Sequence, residues 1–146
     1  MTRALVYGLA VAGESTARAL RAHGYEVLVA DDDVTDSRRA VAESLDLEIV
    51  ERPVGAELER LVGACDLVCP APGVPETHGV VATAQALAVP IVSEIELAHR
   101  WEQERPGGPR PMLAITGTDG KTTPTLLAVE MLRAAGLRSI DAGNTE

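Results

Sequence analysis

Over residues 1–103, five short apolar runs alternate with five stretches of helical spacing. The runs are RALVYG (3–8), EVLVADDD (26–33), LEIV (47–50), CDLVCP (65–70) and VPIVSE (89–94). The helical stretches are ESTARALRAHG (14–24), SRRAVAESL (37–45), GAELERLVG (55–63), HGVVATAQALA (78–88) and EIELAHRWEQ (94–103). A strand followed at once by a helix cannot turn back as a hairpin, so the next strand enters parallel to it. The rhythm therefore predicts an α/β fold with a Rossmann-like parallel sheet. One Trp, two Tyr and no Phe leave Val, Leu, Ala and Ile to build the core, which suits helices packed on a sheet buried on both faces.

The rhythm stops at ERPGGPRP (104–111), where three prolines and two glycines in eight residues exclude a helix interior or a central strand. The organisation expected is a domain over 1–103, a linker over 104–111, and the start of a second domain over 112–146. That second segment opens with LAITGTDGKTTPTLLAVEML (113–132), an apolar run, a glycine loop and a helical pattern. Glycines at 117 and 120 let backbone N–H groups converge on phosphate oxygens. Lys121 can reach terminal phosphates, and the Thr122 hydroxyl can ligate Mg²⁺. Pro124 is tolerated only in a first helical turn, which places the helix start near Lys121. The spacing is G-x-x-G-K-T, because Ile115 stands where the longer pattern has glycine. An ordinary glycine turn capping a helix, with Lys121 solvated, is the bland alternative.

GLAVAG (8–13) approximates the dinucleotide fingerprint G-x-G-x-x-G, with Ala10 in the middle slot. A methyl group there obstructs the approach of a pyrophosphate, so a different nucleotide-type ligand is favoured over NAD. A purely structural turn also stays open. In the NAD reading, Asp31 would be the ribose-binding acid. APGVP (71–75) follows the fourth run, at the sheet end where α/β folds bind ligands, and the amides of Gly73 and Val74 are placed to meet an anion. Taken alone it reads more simply as an ordinary loop. Ser93 with Glu94 and Glu96 reads as a helix cap. His78 and His99 have no partner that spacing identifies. Cys65 and Cys69 lie in or beside an apolar strand at a spacing wrong for zinc, and read as buried free thiols.

A net charge of −9 argues against nucleic acid as a partner. No apolar run reaches the roughly 18 residues of a membrane span. The N-terminus lacks the pattern of a signal peptide. A cytoplasmic protein is expected.

Together AITGTDGKTT, GLAVAGESTARAL, APGVP, SEIEL and AGNTE resemble the Mur ligases, and within them the branch that adds D-glutamate to UDP-N-acetylmuramoyl-L-alanine. The resemblance covers essentially the whole chain. It implies a first domain holding the UDP end of the substrate on a Rossmann-like sheet, and the first strand–P-loop–helix–strand of a central ATPase domain after it. ATP and Mg²⁺ are the implied cofactors. UDP-N-acetylmuramoyl-L-alanine and D-glutamate are the implied substrates, and a monomer is the implied state at full length. Phosphorylation of the substrate carboxylate would give an acyl phosphate that the D-glutamate amine attacks.

In that scheme Gly117, Thr118, Asp119, Gly120, Lys121, Thr122 and Thr123 hold ATP. Lys121 and Thr122 carry the catalytic roles, and Thr122 ligates the metal. The resemblance also implies substrate contacts from Val11 and Ala12 in the first loop, Asp32 and Asp33 after the second strand, Ala71 and Gly73 after the fourth, and Asn144 near the end. The family often carries a hydroxyl near Ala12, a Thr-Arg pair near Asp32–Asp33 and Ser at Ala71; this chain departs at all three. The residues that complete the chemistry in the family are expected beyond Glu146. The chain then reads as an N-terminal fragment, inactive alone. A sister ligase adding L-Ala, a diamino acid or a dipeptide, and a non-catalytic nucleotide-binding module, are the alternatives.

Overall fold

The computed structural model describes residues 1–143. Two compact units divide the chain, Met1–Gly108 and the segment from Pro109 onward.

In the first unit the strands are β1 (Arg3–Tyr7), β2 (Glu26–Asp31), β3 (Ile49–Glu51) and β4 (Leu67–Pro70). The helices are α1 (Val11–Ala22), α2 (Asp36–Ser44), α3 (Gly55–Gly63), α4 (Gly79–Ala86) and α5 (Glu94–Gln103). All strands pair parallel in the order β3-β2-β1-β4. Parallel pairing forces each connection over a sheet face, and alternate side chains of each strand supply opposite faces. On one face Ala4, Val6, Val27, Val29 and Cys69 pack with Ala17 and Leu20 of α1, Ala42 of α2 and Leu97 of α5. On the other, Leu5, Tyr7, Ala30 and Val68 pack with Leu58 and Val62 of α3 and Val80 and Ala84 of α4. The chain moves outward from β1 through β2 to β3, then crosses back to place β4 on the other side of β1. That reversal makes a topological switch point between β1 and β4.

Two expected elements differ. VPIVSE forms only an isolated parallel bridge, Val68 with Ile91, although Val68 N–H donates to Pro90 O at 2.8 Å and Val92 N–H to Val68 O at 2.9 Å. Ser93 already caps α5, accepting from Glu96 N–H at 3.2 Å, so the run ends before a ladder can extend. In addition α1 starts at Val11, three residues ahead of the expected Glu14, and so includes Gly13.

Cys65 and Cys69 are free and buried, as expected. Burial pushes the Cys65 thiol up to about 11 and the Cys69 thiol up to about 12, against 9.0 in an open chain. Burial, with the adjacent Asp32 carboxylate, also raises the Tyr7 hydroxyl well above its ordinary 10.0. All three groups are protonated in the fold and ionise more readily unfolded. Their contribution is therefore complete below pH 9 and declines as pH rises toward 12. Urea midpoints are expected to hold between pH 7.5 and 8.5 and to fall steadily above about pH 9, which circular dichroism would follow.

In the second unit, α6 (Thr122–Ala134) is the regular element among the described residues. The expected strands on either side of it are not formed there. The apolar run before the loop has the right pattern, but a strand is stabilised by a neighbour's hydrogen bonds, and residues 109–143 contain none. No helix among the described residues is long and apolar enough to cross a membrane.

Candidate functional site

Three loops leave the carboxyl ends of adjacent strands at the switch point. The loop after β1 is anchored by Gly8 N–H on Ala30 O at 2.7 Å and Leu9 N–H on the Asp31 carboxylate at 2.6 Å. The loop after β4 is tied to β1 by Ala71 N–H on Tyr7 O at 2.8 Å. A Cβ built on Gly8 would stand 3.1 Å from the Ala71 methyl, so the first and fourth loops touch. Gly13 sits still tighter. A Cβ there would fall 1.8 Å from the carbonyl oxygen of Gly8, so only glycine lets α1 start this close to β1.

Val11 and Ala12 open α1 at this crevice, and Val11 is 78% exposed. No side chain caps the helix: Ala10 holds the N-cap position, while the Ser15 and Thr16 hydroxyls donate back to the carbonyls of Val11 and Ala12. The first-turn amides are thus left to solvent or ligand, with the positive end of the helix dipole behind them. Ala71 and Gly73 line the same crevice from β4. The expected anion contact at Val74 is not available, because its N–H closes a turn on Ala71 O at 2.9 Å.

The three acids after β2 separate into different roles. Asp31 is 5% exposed, and its carboxylate accepts from Leu9 N–H, Asp33 N–H and Arg38. Those bonds tie the first two loops together and commit the buried Asp31 carboxylate to holding the fold. Asp33 is exposed and lies 3.6 Å from the Arg38 guanidinium, which also donates to its carbonyl. Asp32 carries a half-exposed carboxylate bonded on both oxygens, by the Tyr7 hydroxyl at 2.7 Å and by His78 Nε2 at 2.9 Å. Arg52, the first residue after β3, places Nε and a terminal nitrogen 3.1 and 2.8 Å from Asp32 O.

His78, Tyr7, Arg38 and Arg52 were not legible as site residues from spacing. Tyr7, Arg52 and His78 meet Asp32 because the strands stand side by side, whereas Arg38 reaches Asp31 and Asp33 from the first turn of α2. Two cations reach the β2 loop, Arg38 from α2 and Arg52 from the end of β3.

In the second unit, Gly120 turns the loop with φ +70, a conformation that favours glycine. Lys121 follows at the N-cap of α6, with no side-chain cap bond on the helix. The Lys121 ammonium folds over the loop, donating to Gly117 O at 2.5 Å and Thr118 O at 3.2 Å. Thr122 opens α6 and Thr123 follows it, so uncapped amides, one ammonium and two hydroxyls cluster within one helical turn. These donor types suit a polyphosphate and its cation. Asn144 lies outside the described residues.

No protein-family model matches the chain. A UDP-N-acetylmuramoylalanine–D-glutamate ligase from Frankia casuarinae is 41% identical over 145 residues, which covers 96% of this chain and 28% of that protein. The enzyme of the same name from a Synechococcus species is 37% identical over 139 residues, 95% of this chain and 28% of that one. Among solved structures, the UDP-N-acetylmuramate-alanine ligase MurC of Thermotoga maritima matches with a TM-score of 0.58 at 24% identity, over 93% of this chain and 30% of that one. This last likeness speaks for the fold. The chain spans 28% of the length of each of these two relatives.

Proposed function

We infer, from a chain that belongs to the Mur ligase family, that the Met1–Gly108 unit holds the UDP end of UDP-N-acetylmuramoyl-L-alanine. The segment from residue 112 contributes the ATP loop of a ligase that joins D-glutamate to that substrate. The observation that carries this reading is the convergence of loops 8–13, 31–33 and 71–74 at one switch point, in a chain 41% identical to a ligase of that name.

Each part has a role that its chemistry supports. The uncapped amides of Val11 and Ala12 suit a diphosphate, while Ala71 and Gly73 bound the crevice without bulk. The acids at Asp32 and Asp33 suit neutral hydroxyl or N–H donors, not phosphate. In the ATP loop, Gly117, Thr118, Asp119, Gly120 and Thr123 shape the phosphate cradle. Lys121 would leave its loop carbonyls to neutralise phosphate charge, and Thr122 would ligate Mg²⁺. ATP, when bound, supplies the phosphoryl group that activates the substrate carboxylate. Amide formation then expels that group as inorganic phosphate when the D-glutamate amine attacks.

Isothermal titration of the chain tests this. UDP-N-acetylmuramoyl-L-alanine is expected to bind saturably and NAD not at all; the reverse would overturn the reading. MgATP is expected to bind, and Lys121→Ala to weaken it by roughly 10- to 100-fold, the worth of a charge-assisted hydrogen bond. The same substitution should leave UDP-substrate affinity unchanged.

A further inference from the structure

Each strand of the sheet delivers one polar residue to a single cluster. Tyr7 ends β1, Asp32 follows β2, Arg52 follows β3, and His78 caps α4 after β4. Val80 N–H donates to His78 Nδ1 at 3.1 Å, so that nitrogen is an acceptor and carries no proton. In the neutral ring Nε2 then carries the hydrogen, and it points at Asp32 Oδ2, 2.9 Å away. The Tyr7 hydroxyl donates to the other oxygen, and the Tyr7 and His78 rings pack 4.8 Å apart. Arg52 holds the backbone of Asp32 from the third side, itself in a left-handed conformation at φ +44 that a non-glycine residue adopts only when its surroundings impose it.

The consequence lies in what the Asp32 carboxylate can still do. An ionised carboxylate has about four acceptor positions. Two donors occupy one on each oxygen, and the side chain stays 48% exposed at the mouth of the crevice. Its remaining lone pairs are therefore fixed in direction before any ligand arrives, which lowers the ordering cost of binding. The negative charge repels phosphate, so the groups it accepts from must be neutral donors.

We propose that Tyr7 and His78 are positioning residues that hold Asp32 as a fixed, charged acceptor for donor groups of the nucleoside, the imide N–H of its base or the hydroxyls of its ribose. Tyr7 and His78 thereby set which nucleotide the crevice accepts. This rests on the nucleotide reading of the site given above.

The test is calorimetric titration with UDP, N3-methyl-UDP and 2′-deoxy-UDP. The unaltered chain should bind UDP and disfavour one analogue by about tenfold or more, and the analogue disfavoured identifies base or ribose as the donor. Tyr7→Phe deletes one donor, and His78→Asn keeps the α4 cap while withdrawing the donor to Asp32. Each should weaken UDP by about tenfold and shrink the discrimination toward unity. His78→Gln, whose amide reaches the Nε2 position, should restore both. MgATP affinity should not move in any variant.

UDP binding with full discrimination in both Tyr7→Phe and His78→Asn would overturn the inference while leaving the nucleotide reading intact. UDP binding that ignores both analogue changes would do the same. Absence of UDP binding by the unaltered chain would overturn both.

Discussion

Gly13→Ala is expected to lower the melting temperature of the Met1–Gly108 unit by about 10 °C or more. The added Cβ would lie 1.8 Å from the Gly8 carbonyl oxygen and 2.9 Å from its carbonyl carbon, both backbone atoms that cannot rotate away. Either α1 shifts off β1 or the Gly8 turn opens, and both movements pull apart Ala17 and Leu20 from the strand residues they cover. Overpacking of this kind costs roughly 1–3 kcal/mol and sometimes more, a large share of a small domain's stability. Gly73→Ala is the matched control, because a Cβ there meets nothing within 4 Å. Thermal melts followed by circular dichroism should show the control within about 3 °C of the unaltered chain. Equal melting temperatures for the two variants would contradict the account of how α1 is seated.

Asp31→Ala carries the second large effect. The carboxylate is buried and accepts from Leu9 N–H at 2.6 Å, Asp33 N–H at 3.0 Å and Arg38 at 2.9 Å. Alanine would strand two amides and leave the Arg38 guanidinium, itself only 27% exposed, with its Asp33 contacts alone. Breaking a buried pair costs about 3–5 kcal/mol, and the partial exposure of Arg38 reduces that to roughly 2–4 kcal/mol here. Asp31→Asn retains an acceptor oxygen without the charge, and its loss should fall between the two. Urea unfolding gives the magnitude. Hydrogen exchange should show lost protection at Leu9 beyond that expected from global destabilisation, since that bond closes the first loop onto the second. A stability change under about 0.5 kcal/mol would show that Asp31 is not the tie between them.

The sheet was legible because its signal is local. Three of the five apolar runs end in Gly, Asp or Pro, and the stretches 55–63 and 94–103 coincide with α3 and α5. The first loop was legible as a glycine turn, but the close seating of Gly13 against Gly8, with α1 already begun at Val11, was not. Pairing was less legible. VPIVSE and the run before the Lys121 loop have the composition of strands, yet a ladder depends on room and on a neighbour, and neither is written in the run itself.

Side-chain convergence was the least legible. Asp32 and His78 are 46 residues apart and Tyr7 is 25 from Asp32, so their meeting follows from strand order and from no motif. The same holds for Arg52, which reaches the Asp32 carbonyl from 20 residues along the chain. Asp31, a ligand contact only in the disfavoured NAD reading, is the converse case. A carboxylate at the end of the second strand suggests a ligand contact, but its three acceptor bonds are all internal.

The central claim, that the switch point of the first unit receives the uridine nucleotide of the ligase substrate, is tested most directly by mapping backbone amide shifts during titration with UDP-N-acetylmuramoyl-L-alanine. Saturable changes are expected in residues 8–13, 31–33 and 71–78, with no response to NAD. Changes that leave those three loops still, or a matching response to NAD in their place, would contradict it.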